Sequence, residues 1–355
     1  MSIDYKDLKK LECVDKKDLE KDLRSNGGTR LHAVETYCIP RLLRLVKRVD
    51  SEFVDRGEAA RLVMASLISG VPLVLLGPPG TGKSAIIKRM VVLSGANPET
   101  ECFEWLLSKY TTPEELFGPP DFKSLKAGVY KTKVEGKLPS ARIAFLDEIF
   151  RGSSMILNTL LSILNERKFH DGNGSIDIPL LGVVGASNQP PVDPDLDAFF
   201  DRFPIRVWLE SVLEGGQGGQ HEKLLKAAAD MSFRAELGKE TEPLACLNDI
   251  RCAQVALEAE NHMEAGGGVA GNSATNYFEA FRKAAKICKV PPSDRTFGLI
   301  WKFGRALEYL KSDLKESESG PIEALRYIGA SPDERRNLGH CVDEFLARHT
   351  TFSDG

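Results

Sequence analysis

Hydrophobic positions along the chain follow two regimes that change near residue 209. Upstream, short apolar runs alternate with helix-spaced segments. Ala60, Val63, Met64, Leu67 and Ile68 recur at helical spacing and predict an amphipathic helix over Gly57 to Ser69. Leu73 to Leu76 is an unbroken apolar run between Pro72 and a Gly-Pro-Pro-Gly turn, which predicts a short buried strand entering a tight loop. Ala85 to Leu93 returns to helical spacing. Four more strand-like runs follow, at Cys102 to Leu107, Arg142 to Ile149, Leu180 to Ala186 and Pro204 to Leu209. Such alternation predicts an α/β domain with a parallel sheet flanked by helices. Between the runs, Thr112 before Pro113 marks a helix start, Asn158 to Glu166 reads as a helix, and Lys168 to Pro179 as a hairpin with Asp-Gly-Asn-Gly at its tip. Residues 119–140 are too polar for a core strand and carry Gly128 and Gly136, so they read as an insertion projecting from the domain.

Beyond Leu209 no strand pattern recurs. Glycine-rich breaks at Gly215 to Gly219 and Gly266 to Gly271 punctuate helical segments, predicting a small all-α domain joined to the α/β core near residues 210–220. Within it Ser293 is a plausible helix cap, with Asp294 and Arg295 in the first turn. The last forty residues, with Ser-Glu-Ser-Gly at 317–320, predict one or two more helices and a frayed end. At the other end, residues 1–50 read as a helical extension: Leu8, Leu11, Leu19 and Leu23 space a solvated helix, a Ser-Asn-Gly-Gly break covers 25–28, and a second helix spans Leu31 to Val49. Arg41, Arg44, Lys47 and Arg48 on it read as a solvated face rather than an anion site. The expected division is therefore 1–50, 51–212 and 213–355.

Composition changes little in this picture. The chain has 355 residues, 42% hydrophobic and 28% charged, enough for two cores without staples. A net charge of −4 gives no global basic field for nonspecific nucleic-acid binding. Seven scattered cysteines, never spaced C-x-x-C, argue against a disulfide framework or a zinc site. The charged amino-terminal stretch is not a signal peptide, and the longest apolar stretch, Leu62 to Leu76, is broken by Gly70 and Pro72 and too short to span a bilayer. A cytoplasmic protein is expected.

Chemistry concentrates after the first strand. Gly77-Pro78-Pro79-Gly80-Thr81-Gly82-Lys83-Ser84 fits G-x-x-x-x-G-K-[ST] in full. Glycines let backbone N–H groups turn inward around phosphates, and the next helix points its positive dipole end at them. Lys83 supplies a point charge for the β and γ phosphates of ATP, and Ser84 a hydroxyl for Mg²⁺. The run at 142–149 ends in Asp147-Glu148. Two carboxylates at a buried strand end make sense beside that loop, Asp147 for the Mg²⁺ shell and Glu148 to polarise the attacking water. Asn188 stands at the carboxyl end of another strand, the edge where open α/β sheets bind ligands. Arg202 and Arg206 follow, and could pair with Asp197 or Asp201.

The order of FEWLLSKYTTPEELFGP, GKLPSARIAFLDEIFR, ILNTLLSILNERKF, GASN, DRF and SDR after the phosphate loop resembles the MoxR family of AAA+ ATPases, closest to its RavA-like branch, over residues 55–305. The resemblance implies an AAA+ core with an all-α lid, a helix 2 insert within 112–140 and a presensor 1 hairpin at 166–180. It implies Walker A roles for Lys83 and Ser84 and Walker B roles for Asp147 and Glu148. It further implies sensor 1 at Asn188, an arginine finger acting in trans at Arg202 with Arg206 as second candidate, sensor 2 at Arg295, and adenine contacts from Phe53 and Val54. Because a finger is worth ~10³ to 10⁵ in rate, a shared site implies a homo-oligomeric ring, as a rule a hexamer. The D-x-S-x-S signature of a von Willebrand A domain does not occur in these residues, so the resemblance implies a separate adaptor of that kind, together with a protein or metalloenzyme client.

Three function classes follow: a chaperone-like remodelling ATPase, a nucleic-acid motor, and a nucleotide-gated scaffold. Arg167, Lys168 and His170 on the hairpin and Lys123, Lys126, Lys131, Lys133 and Lys137 on the insert favour the second, whereas the negative total charge and few aromatics oppose it. Glu148 and Arg202 oppose the third. The first is the expectation.

Overall fold

A computed structural model describes residues 34–171, 174–212, 243–267, 271–289, 292–311 and 320–350. The leucines of 8–23, the break at 25–28, the hairpin-tip residues 172 and 173, the glycine run 215–219, residues 268–270 of the second glycine-rich break and residues 317–319 lie outside the described residues.

A π-helical turn at Val34–Cys38 leads into α1 (Ile39–Glu52), which buries Ile39, Leu42, Leu45, Val46 and Val49 along one stripe. α2 (Gly57–Ser69) ends at Gly70, whose φ of 67° closes the helix in the left-handed region. β1 (Leu73–Leu76) and α3 (Lys83–Leu93) follow, then β2 (Cys102–Leu106), α4 (Pro113–Phe117) and α5 (Phe122–Lys126). Thr112 and Glu115 form a reciprocal capping box at the start of α4. β3 (Ile143–Asp147), α6 (Ser154–Glu166), the hairpin β4 (Lys168–His170) and β5 (Ser175–Asp177), β6 (Gly182–Ser187), α7 (Asp197–Phe200) and β7 (Ile205–Trp208) complete the mixed part. Among the described residues only helices follow: α8 (Leu247–Gly267), α9 (Gly271–Ala285), α10 (Asp294–Tyr309), α11 (Gly320–Ala324) and α12 (Pro332–Thr350).

Five strands form one parallel sheet in the order β2-β3-β6-β1-β7. Because side chains alternate across a strand, the sheet buries two distinct faces. Leu73, Leu75, Ile143, Phe145, Val184, Ala186, Ile205 and Val207 join a cluster with α1, α2, α3 and the carboxyl-terminal helices. Val74, Leu76, Ala144, Leu146 and Val183 join a second cluster with Leu116, Leu157, Leu160 and Phe199. The helices after residue 247 thus share a continuous apolar core with α2 rather than building one apart from it.

Boundaries shift by small amounts with local causes. α6 begins at Ser154 rather than Asn158, because the Ser153 side chain accepts from Ile156 N. β2 stops at Leu106, although Leu107 N still donates to Asp147 O at 2.9 Å. Residues 119–133 are not featureless: α5, a bridge between Pro120 and Thr132, and bonds from Asp121 N to Lys131 O (2.7 Å) and Lys133 N to Pro119 O (2.8 Å) close them into a lobe. At its neck Gly118 has φ 106°, and a Cβ there would stand 2.0 Å from Lys133 O. On α1, Arg41 pairs with Asp249 at 3.4 Å and Arg48 with Glu52 at 2.7 Å, so these two cations are spoken for within the chain. Among the described residues, no helix is long and apolar enough to cross a membrane.

Candidate nucleotide-binding site

Strand register brings the candidate residues to one edge. β1 Leu76 lies opposite Ser187 of β6, so the loop after β1 and Asn188 after β6 leave the sheet side by side. β3 ends next to β6 with Asp147, and Glu148 follows. This is the carboxyl edge, where an open parallel sheet presents its ligand crevice.

The loop between β1 and α3 depends on glycine at three positions. Gly77, Gly80 and Gly82 have φ of 147°, 81° and 85°. At Gly77 a Cβ would also approach Leu209 O to 2.2 Å, whereas at Gly80 and Gly82 it would meet nothing within 4 Å. The loop therefore packs tightly at its sheet end and encloses free space at its helix end. Pro78, Pro79 and Gly80 are exposed, and Thr81 Oγ1 donates to Pro78 O at 2.9 Å. Gly82 caps α3 without a side chain, leaving the first amides of an 11-residue helix facing that space.

Five side chains converge beside the loop. Lys83 Nζ donates to Gly77 O (2.6 Å), Pro78 O (2.9 Å) and Asn188 Oδ1 (3.1 Å). Asn188 Nδ2 donates to Glu148 Oε1 at 2.6 Å, and Ser84 Oγ to Asp147 Oδ2 at 3.0 Å. The second Asp147 oxygen accepts from Glu148 N at 2.9 Å, and Arg151 Nε lies 3.2 Å from Glu148 Oε2. Glu148 holds φ 49°, a left-handed conformation that costs a non-glycine residue energy and turns its carboxylate back toward Asn188. Burial pushes the Lys83 ammonium below its ordinary range, and the Asp147 and Glu148 carboxylates counter that shift.

The donor set fits an anion and a hard cation. An ammonium with all three donors spent on neutral oxygens would gain by exchanging one for a phosphate oxygen. Ser84 hydroxyl and Asp147 carboxylate are hard oxygen donors of the kind Mg²⁺ takes alongside phosphates.

Arg202 and Arg295 form a separate cluster around Asp201. Asp201 Oδ2 accepts from Ser293 Oγ (2.9 Å) and Arg202 Nη1 (3.3 Å), and Oδ1 accepts from Thr296 Oγ1 (3.0 Å). Arg295, exposed in the first turn of α10, is shifted below its ordinary range by burial and by the Arg202 charge, with Asp201 opposing. Arg206 does not pair with Asp197 or Asp201 on the surface. It is 9% exposed, donates to Ile328 O (2.6 Å), Phe203 O (3.2 Å) and Phe200 O (3.5 Å), and stacks 3.9 Å from the Phe200 ring. Burial brings its guanidinium down to about 10. A side chain so committed within its own chain is a strut between β7 and the segment before α12, which removes Arg206 from contention as a finger.

Phe53 and Val54 are half-buried on the segment joining α1 and α2, with Phe53 packed against the core. Their neighbour Arg56 is the residue that sequence reasoning passed over. It is 6% exposed, and its guanidinium donates to Thr81 O (2.9 Å), Asp55 O (2.7 Å) and Glu210 O (2.7 Å). One arginine thus ties the phosphate loop to the start of α2 and to the chain leaving β7. A lone arginine at the head of an apolar helix was its only trace in the sequence.

The model for the MoxR domain of MoxR-vWA-beta-propeller ternary systems matches residues 40–248. The chain belongs to the MoxR family of AAA+ ATPases. An uncharacterised protein of Methanocaldococcus jannaschii is 32% identical over 289 residues, covering 81% of this chain and 70% of its own length. A second uncharacterised protein of that organism is 41% identical over 166 residues, 46% of this chain and 43% of its own. The chain therefore spans less than half of that second relative. The crystal structure of a candidate ATPase from Cytophaga hutchinsonii superposes with a TM-score of 0.63 at 14% identity, covering 89% of this chain and 96% of the other, a likeness of fold. The matching family model is drawn from the ternary systems rather than from the RavA-like branch.

Proposed function

We propose that this MoxR-family chain hydrolyses ATP to ADP and phosphate at the carboxyl edge of its sheet. The observation that supports this most is the hydrogen-bonded chain Lys83–Asn188–Glu148 beside Ser84–Asp147. In this reading the amides of residues 78–84 and the Lys83 ammonium bind the phosphates and spread their charge. Mg²⁺, held by Ser84 and Asp147, would supply further neutralisation of that charge. Glu148 accepts the proton of the attacking water as its oxygen bonds to the γ phosphorus and the bond to the ADP oxygen breaks. Asn188 orients Glu148 and shares its carbonyl with Lys83, so the base and the phosphate sensor move together. Arg202 stabilises the transition state at a neighbouring copy's site, and Arg295 joins lid position to nucleotide state.

The finer reading is a homo-oligomeric ring, hexameric by family habit, that remodels a protein client with a von Willebrand A domain adaptor. The family model's description, which groups MoxR domains with vWA and β-propeller proteins, supports the adaptor. The exposed lobe supports client contact: Phe122 is 71% exposed, and Leu125, Val129 and Tyr130 stand beside exposed Lys123, Lys126 and Lys131. ATP turnover measured against protein concentration tests the shared site. Activity per copy should rise steeply as the chain assembles, and a flat profile would show a self-sufficient monomer.

A further inference from the structure

Asp201 makes a joint between the α/β part and the carboxyl-terminal helices. It stands between α7 and β7, while Ser293 caps α10 and Thr296 lies in its first turn. Both hydroxyls donate to its carboxylate, one to each oxygen, at 2.9 and 3.0 Å. The same carboxylate takes Arg202 Nη1 at 3.3 Å. Arg202 Nε is buried and finds no acceptor among the described residues, so this one carboxylate is the anchor the structure gives that guanidinium. Arg295 follows Ser293 by two residues and feels the Arg202 charge. Two guanidiniums of like charge are thus gathered around one anion that is itself pinned to the head of α10.

We propose that Asp201 is a positioning residue that couples the lid to the finger: it orients Arg202 from the position of α10, so that a lid movement in one copy resets the arginine offered to the next. The inference rests on the shared-site reading above. Ser293 and Thr296 hold the carboxylate by neutral donors, and Arg202 holds it by charge. A rotation of α10 that carries the two hydroxyls away moves the carboxylate, and among the described residues Arg202 has no second hydrogen-bonded anchor with which to stay behind. Arg202 is half-buried beside the joint, with its Nε covered, while Arg295 is exposed.

Charge and hydrogen bonding separate by substitution. Asp201→Asn keeps an acceptor but loses the charge that draws Arg202, and should lower turnover at least tenfold. Ser293→Ala keeps the charge and removes one arm, and should cost less. Combined with Asp201→Asn it should add nothing further, because both act through one joint. The deciding measurement mixes Asp201→Asn copies with Glu148→Gln copies, each nearly inactive alone. The Asn copies carry an intact Glu148 and the Gln copies an intact joint, so mixed assemblies should regain turnover to the same degree as Arg202→Ala mixed with Glu148→Gln. A merely structural role for Asp201 would give no regain. If Arg202→Ala is complemented and Asp201→Asn is not, or if Asp201→Asn turns over at the parental rate, the joint has no such role. If neither is complemented, the shared site itself fails and the coupling falls with it.

Discussion

Lys83 Nζ and Asn188 Oδ1 lie 3.1 Å apart, although 105 residues separate them along the chain. The contact joins the loop after β1 to the end of β6. Because Asn188 Nδ2 also holds Glu148, one amide links the group placed for phosphates to the group placed for water. Substitutions in this cluster should therefore separate binding from turnover.

Lys83→Ala removes the only ammonium in the cluster and should weaken ATP binding about a hundredfold, as read by a fluorescent-nucleotide titration. Glu148→Gln keeps the hydrogen bond to Asn188 available while abolishing the base. It should bind ATP within a fewfold of the parent and lose ~10² to 10⁴ in turnover. Equal losses of binding in both variants would argue against the division of labour.

Arg202 and Arg206, four residues apart, should fail in different ways. Arg206→Ala strips a buried cation from three carbonyls and an aromatic face, and should destabilise the fold by about 3 kcal/mol or more in a denaturant titration. Arg202→Ala should melt within a few degrees of the parent and lose ~10³ to 10⁵ in turnover. A stable Arg206→Ala with impaired turnover would reverse the assignment.

Arg56→Ala leaves Thr81 O and Glu210 O without their donor. Since Thr81 belongs to the phosphate loop, the KM for ATP should rise about tenfold, equivalent to about 1.4 kcal/mol, with kcat less affected. Unchanged KM with lowered stability would make Arg56 a strut alone.

Glu323 accepts from Arg61 of α2 and Lys311 after α10, bridging the two parts of the shared core. Burial works to raise its carboxyl, but Lys311 and Arg61 outweigh that and hold it below the usual range. A depressed carboxylate stabilises the fold above its unfolded pKa, and that contribution fades as pH falls through the folded value. Glu323→Gln should thus melt lower than the parent at pH 7 and converge with it well below pH ~4.5. A gap constant with pH would point to shape rather than charge.

The exposed lobe allows a choice between partners. If Phe122 and Tyr130 with the surrounding lysines served nucleic acid, single-stranded DNA should stimulate turnover with a steep salt dependence. The client reading expects no stimulation by DNA, and a loss of client-stimulated turnover on Phe122→Ala with basal turnover intact.

The amino-acid sequence by itself determined the local parts whose physics lies within a few residues. The phosphate loop was legible because glycines at 77, 80 and 82 are required by backbone angles that other residues avoid. The parallel strands were legible as short apolar runs, because strands buried on both faces leave no polar alternation. Candidate roles for Lys83 and Ser84 came from the phosphate-loop pattern, those for Asp147 and Glu148 from a strand end read beside it, and the sensor role of Asn188 from the family resemblance. Tertiary structure decided everything that depends on which ends meet. The sequence offers Arg202 first and Arg206 second for one role, and burial on β7 commits Arg206 to carbonyls while Arg202 sits on a carboxylate. The pairing of Arg202 with Asp201 and the cap at Ser293 were each legible locally, but that they meet was not, nor was the tie made by Arg56, since these contacts join residues between 25 and 154 positions apart. A hydrogen bond between distant residues is set by how whole elements pack, and packing is a property of the folded chain as one body.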